Sequence, residues 1–174
     1  MKKLFIVLFS IGLTINISAQ ETPEQFGKKM FEAVKNNDLN AFKELCVTVN
    51  QIKQAMANGS LNVPVEDRAD IISYFEETLS SPGIYIEFLE DLREREGWKE
   101  RAYLSPSQWE NASFESVYYE KEDEGSTIHY DMTVTFLIDK QRHKIDEFCA
   151  MKIIYYDKNI GKRVSKFVLS DYGG

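Results

Sequence analysis

The stretch IHYDMTVTFLIDKQRHKIDEFCAMKIIYYD, Ile128 to Asp157, gathers both histidines of the chain and one of its two cysteines. His129 and Asp131 stand two residues apart, the types taken by a general base and the carboxylate that orients it. Cys149 adds a thiol. The same stretch is also the densest run of β-branched and aromatic residues in the sequence, and residues two apart on a strand share one face. No serine or cysteine falls where it would serve either histidine as a nucleophile. The setting to expect is a sheet.

That sheet occupies the second half of the chain, about residues 112–171. Three loops are hairpin candidates: DEG at 123–125, QR near 141–142 and NIG at 159–161. In the first and third, the final glycine suits the left-handed position of a three-residue loop. These turns predict a four-stranded antiparallel meander in which Tyr118 lies opposite Tyr130, Met132 opposite Met151, and Phe167 opposite Ile153. His129 and Asp131 then fall on the face away from the helices, with Asp131 opposite Lys152, and His143 sits in a hairpin loop beside Arg142. The helix-facing polar residues include Tyr118, Tyr130, Glu147 and Asp171. Two carboxylates close together in a semi-apolar cavity raise one pKa, the usual route to a general acid or base. The opposite face collects Val117, Tyr119, Leu137, Phe148, Ala150, Ile154, Tyr156, Val164 and Val168. So apolar a surface calls for a cover: a second copy, a protein partner, or an early helix folded over it.

The first half, about residues 22–97, reads as helices. In TPEQFGKKMFEAVKNN, Thr22 caps, Pro23 takes the first helical position, Gln25 completes a capping box, and Phe26, Met30 and Val34 form an apolar stripe. Asp38 caps a second helix that buries Leu39, Phe42, Leu45 and Cys46. A third ends at Gly59. A fourth turns Ile71, Ile72, Phe75 and Leu79 inward and stops before Pro82-Gly83. A fifth carries Phe88, Leu89 and Leu92 and ends at Gly97. Residues Lys99 to Asn111 read as a polar connector carrying Trp109. Helices followed by strands, with no linker or repeat between them, are the pattern of one α+β domain over residues 20–174.

Lys2 and Lys3, an apolar run from Leu4 to Leu13, and Ile17-Ser18-Ala19 form a leader with a small residue at the expected cut, so residues 1–19 read as a signal peptide and the product as periplasmic or secreted. Removing it leaves 19 basic and 28 acidic residues, a net charge of −9. Such a chain lacks the basic footprint that binds phosphate backbones, which excludes a nucleic-acid partner. No later segment is apolar enough to span a membrane. Cys46 and Cys149 are either a disulfide closing a long loop or two thiols packed as small hydrophobes. No histidine pair has metal-ligand spacing and no glycine-rich loop cradles a phosphate, so neither metal nor cofactor is expected.

The capped first helix followed by NNDLNAFKELC, more helices and a curved antiparallel sheet resembles the nuclear transport factor 2-like superfamily, which includes ketosteroid isomerase and the SnoaL-like proteins. The resemblance implies a cone-shaped domain whose helices close a pocket against the sheet. Its members include isomerases, dehydratases and non-catalytic binders. Cystatin-like inhibitors share the plan, but their Q-x-V-x-G loop is missing here. The expectation is an exported, non-enzymatic binding module that takes a small apolar or amphipathic ligand in the concave pocket, or a protein or second copy on the back of the sheet. The alternative is a small cofactor-independent isomerase or dehydratase with Glu147 or Asp171 as base. A structural envelope or secretion component is a third reading, resting on the acidic surface and the apolar back face.

Overall fold

The computed structural model describes residues 21–81, 83–94, 104–124 and 127–171. The expected leader over residues 1–19 and the helix end at Gly97 lie outside the described residues.

The capping chemistry of the first half is realised. Thr22 opens α1 (Pro23–Asn36): its hydroxyl accepts from Gln25 N and the Gln25 side chain accepts from Thr22 N. Asn37 then stops the helix in the left-handed conformation, φ 51°. The Asp38 carboxylate accepts from Asn40 N and Ala41 N, both at 3.0 Å, and starts α2 (Leu39–Leu45). A second capping box, Thr48 with Gln51, starts α3 (Val49–Asn58), and Gly59 ends it at φ 76°. Next come α4 (Arg68–Ser80) and α5 (Ile84–Glu94). The expected polar connector contains a further short helix, α6 (Pro106–Asn111), with its own capping box between Ser105 and Gln108. It exists to bury Trp109, which stacks on Phe136 with ring centroids 5.2 Å apart.

The strands β1 (Ser113–Glu124), β2 (Thr127–Ile138), β3 (Gln141–Asp157) and β4 (Lys162–Asp171) form an antiparallel sheet in chain order, so the architecture is α+β. The meander is as expected, but every register differs, and the turns explain why. The middle turn is Asp139-Lys140, both left-handed at φ 49° and 70°, so Ile138 pairs with Gln141. A two-residue turn of this kind matches strand twist, and aspartate tolerates the conformation well enough to supply half of it. Met132 consequently lies opposite Phe148 rather than Met151. In β1, Glu124 pairs with Thr127, which sets Tyr119 opposite Met132 and Tyr118 opposite Thr133. The offset from expectation is odd, so the two faces of β1 exchange. A bulge at Glu115 then returns Phe114 to the inner face, opposite Phe136. In the last hairpin Asp157, not Lys158, pairs with Lys162, with Gly161 left-handed at φ 62°. That single-residue slip moves Phe167 from Ile153 to Lys152.

These registers fill the space beneath the helices. Phe26, Met30, Phe31 and Val34 of α1 pack against Met132, Val134, Phe136, Phe148, Ala150 and Phe167, all at most 1% exposed. Gly27 lets α1 approach β1: a Cβ there would lie 2.5 Å from Val117 Cγ2. The opposite face is covered over β3 and β4 by a second, smaller cluster, in which Val47, Ile52, Ala55 and Met56 pack on Met151, Ile153 and Val168. The chain passes between the two faces at the β4 edge, where Cys46 forms a parallel bridge to Leu169. An early helix, α3, is thus the cover for that part of the sheet.

The expected apolar back face is covered in part. Phe148 and Ala150 are fully buried beneath α1 and Val117 packs there too, while Val168 lies in the second cluster. The far face of β1 and β2 carries polar side chains such as Ser116, Asp131, Thr133 and Thr135. Tyr119, Ile154 and Tyr156 of the expected set stay exposed, at 37%, 39% and 49%.

Candidate functional site

Of the four residues expected to form a concave polar pocket, Tyr118 and Tyr130 lie on opposite faces of the sheet. Tyr118 sits on the outer face, 60% exposed, donating its hydroxyl to Glu120 Oε1. This bond to a carboxylate raises the Tyr118 pKa. Tyr130 does face the helices, but as a core ring: it meets Phe167 edge-on at 5.0 Å and Tyr119 at 5.9 Å. Glu147 falls in the bulge between the paired residues Ile145 and Phe148, and Asp171 pairs with Cys149; the side chains of Glu147 and Asp171 lie outside the described ones.

The histidine and cysteine candidates resolve into local contacts. Asp131 is paired with Cys149, not Lys152, and accepts from its thiol at 2.9 Å on the outer face. His129 lies between Glu122 and Met151, and His143 is a strand residue stacked on Phe136 at 5.6 Å, not a loop residue. No disulfide joins Cys46 to Cys149: the buried Cys46 thiol donates to Phe42 O at 3.4 Å. Cys46 is buried as a packed thiol would be, whereas Cys149 is half-buried and bonded to the Asp131 carboxylate. Among the described residues, no group of three or more His, Cys, Asp and Glu is placed to hold a metal ion.

An open cleft of about 690 Å³ lies on the other side of α1. Gln25, Lys28, Lys29, Glu32 and Asn36 line it at helical steps of three and four, so they form one stripe of α1, turned away from the Phe26–Met30–Val34 stripe. Asp38, Ala41, Glu44 and Leu45 form the matching stripe on α2. Lys166 closes the cleft from β4, and Glu21 closes it at the start of α1. Three lysines thus face four acids, with Ala33, Ala41 and Leu45 as an apolar strip between them.

Two of these side chains are fixed by the backbone. The Glu21 carboxylate accepts from Lys29 Nζ at 2.5 Å and from Phe167 N at 3.2 Å, and its side chain is only 12% exposed. Lys166 Nζ donates to Glu44 O in the last turn of α2, where a cation meets the negative end of the helix dipole. Burial lowers the Lys166 pKa; Lys29 adds to this effect, and Glu21 and Glu44 oppose it. A second cation closes α1: Arg93 donates to Val34 O and to Lys35 O at 3.1 Å while lying 5.1 Å from the Trp109 ring centre.

The two edges beside the cleft and beyond it are plugged by side chains. β3 outruns β2, and its unpaired groups are taken by α3 and the residues after it: Gln54 Oε1 accepts from Tyr156 N at 2.7 Å, Asn58 Nδ2 donates to Ile154 O at 2.6 Å, and Ser60 Oγ accepts from Ile154 N at 3.0 Å. Glu21 and Cys46 do the same for β4. Such plugs deny an approaching strand its hydrogen bonds.

The sequence did contain a signal for the cleft. The polar residues of α1 recur at the same steps as the apolar ones, which reads equally well as a solvated face; only the position of α2 and β4 makes it a wall. No helix among the described residues is long and apolar enough to cross a membrane. No family model matches the chain, and no curated protein or solved structure matches it.

Proposed function

We propose that this protein is a binding module, not an enzyme, and that its ligand occupies the open cleft between α1, α2 and the β4 edge. The observation that carries the reading is a contrast in the molecule: the space beneath the helices is filled by aromatic side chains, while the cleft outside them is open and lined by charges of both signs. An amphipathic ligand with a carboxylate for Lys28, Lys29 or Lys166, and an amine for Glu32, Asp38 or Glu44, fits the lining. A free amino acid or a short peptide is the simplest molecule with that charge pattern.

Export of the mature chain to the periplasm or beyond belongs to the same proposal, supported by the Lys2-Lys3 start, the short apolar run and Ala19. A nuclear transport factor 2-like or cystatin-like kinship is supported by the order of elements, helices first and an antiparallel meander after.

Isothermal titration calorimetry with alanyl-alanine and with a neutral apolar ligand such as decanol tests the reading. The expected result is heat from the dipeptide alone, weakening as salt rises from 0.05 to 0.5 M because exposed charges are screened over roughly 4–14 Å in that range. Heat from decanol alone would place the ligand site in the core and overturn the proposal.

A further inference from the structure

We propose that Lys166 Nζ captures a small carbonyl compound covalently, condensing with an aldehyde or α-keto acid in the cleft to give an imine and water. The inference rests on the cleft as the ligand site and adds a chemical step to it.

The cleft's lysines are held in different ways. Lys29 is bound to the Glu21 carboxylate, and its side chain is 61% exposed. Lys166 is half-buried, and the acceptor its Nζ meets is a neutral peptide carbonyl, Glu44 O. A neutral amine can still donate one of its two protons to that carbonyl and keep its lone pair for attack, which an ammonium cannot. Burial, the largest effect, and the neighbouring Lys29 charge favour the neutral form, while Glu21, Glu44 and the C-terminal end of α2 favour the ammonium; the net direction is toward the neutral amine, the setting in which lysines become nucleophiles.

The step balances without oxidant or reductant. The Nζ lone pair attacks the carbonyl carbon, a proton passes from nitrogen to the former carbonyl oxygen, and a carbinolamine results. Protonation of that hydroxyl releases water as the nitrogen lone pair closes the C=N bond, and the nitrogen proton returns to solvent. Glu21, held in place by Lys29 and Phe167 N, is the carboxylate beside the site that can relay these protons. For an α-keto acid, Lys28 or Lys29 supplies the charge that meets its carboxylate, so the acid outcompetes a neutral aldehyde of similar size.

The test uses the folded protein with glyoxylate or propionaldehyde at pH 7.5. Cyanoborohydride reduces any imine to a stable secondary amine, and peptide mass mapping locates it. A lowered amine pKa gives more free amine near neutral pH, so Lys166 is expected to be modified faster than Lys28 and Lys29. Glyoxylate should outpace propionaldehyde, and the selectivity should vanish in 8 M urea. Modification of Lys28 and Lys29 as fast as Lys166 would overturn the proposal. Because these lysines are internal controls, the result does not depend on any variant folding. Calorimetry on the wild-type protein adds a second readout: binding of alanyl-alanine without any adduct sinks the covalent step and leaves the cleft, whereas neither binding nor adduct sinks both.

Discussion

Helix α1 presents two stripes to two different surroundings. Phe26, Met30 and Val34 point into a sealed aromatic interior, whereas Gln25, Lys28, Glu32 and Asn36 line an open, charged cleft. The inner stripe meets rings at fixed spacings, such as Phe31 on Phe136 at 5.5 Å and Phe26 on Phe167 at 5.9 Å. The outer stripe meets α2 and β4 across space that a solute can enter. The difference teaches that shape complementarity is spent on one side and chemical variety on the other. Stability belongs to the inner stripe and recognition to the outer one.

The comparison breaks most visibly in the core. Phe136→Ala removes a fully buried ring that touches Phe31, Trp109 and His143, and should cost about 3–5 kcal/mol in urea unfolding. A loss under 1 kcal/mol would mean the interior is loosely packed and open to ligands after all. Gly27→Ala forces a Cβ against Val117 and should cost about 1–3 kcal/mol. Adding Val117→Ala should recover part of that loss, a coupling that two independent sites would not show. On the border between the two stripes, Asp38→Ala removes the α2 cap at about 1 kcal/mol and also weakens dipeptide binding.

The β4 wall that faces the outer stripe gives the smallest effect on stability and a distinctive dependence on pH. Folding lowers the pKa of Lys166, so the unfolded chain binds more protons than the folded one between the folded value and the ordinary value of 10.5. The penalty for burying the ammonium is present in full below the folded pKa. It is relieved as pH rises through that window, so this group makes stability climb with alkaline pH. Lys166→Met should flatten the climb relative to wild type in urea midpoints taken from pH 7 to 10.5. A steeper climb in the variant would reverse the sign and contradict the buried placement of the amine.

Much of this fold was legible because its signals are local. Thr22-Pro23-Gln25, Asp38 and Gly59 each satisfy or release their own backbone, and each ends an element where the sequence says it should. Ser105-Pro106 and Gln108 carried the same signal for α6 and were hidden by the polarity around Trp109. The registers were illegible for a physical reason. Lys140 adopts a conformation that its side chain does not favour, the bulge at Glu115 leaves no mark in composition, and an odd slip exchanges faces that are apolar on both sides. The candidate site followed the register: once β1 exchanged its faces, Tyr118 left the interior and Val117 entered it. The cleft depended on a tertiary fact, the return of β4 beside α2, which no single stretch encodes.

The measurement that tests this account most directly is amide chemical-shift mapping of the mature protein titrated with alanyl-alanine. The account predicts shifts confined to the cleft walls, at Lys28, Glu32, Ala41, Glu44 and Lys166, with Tyr130, Phe136 and Phe148 unmoved. Shifts centred on those three core residues, with the walls of the cleft silent, would contradict it and return the site to the space beneath the helices.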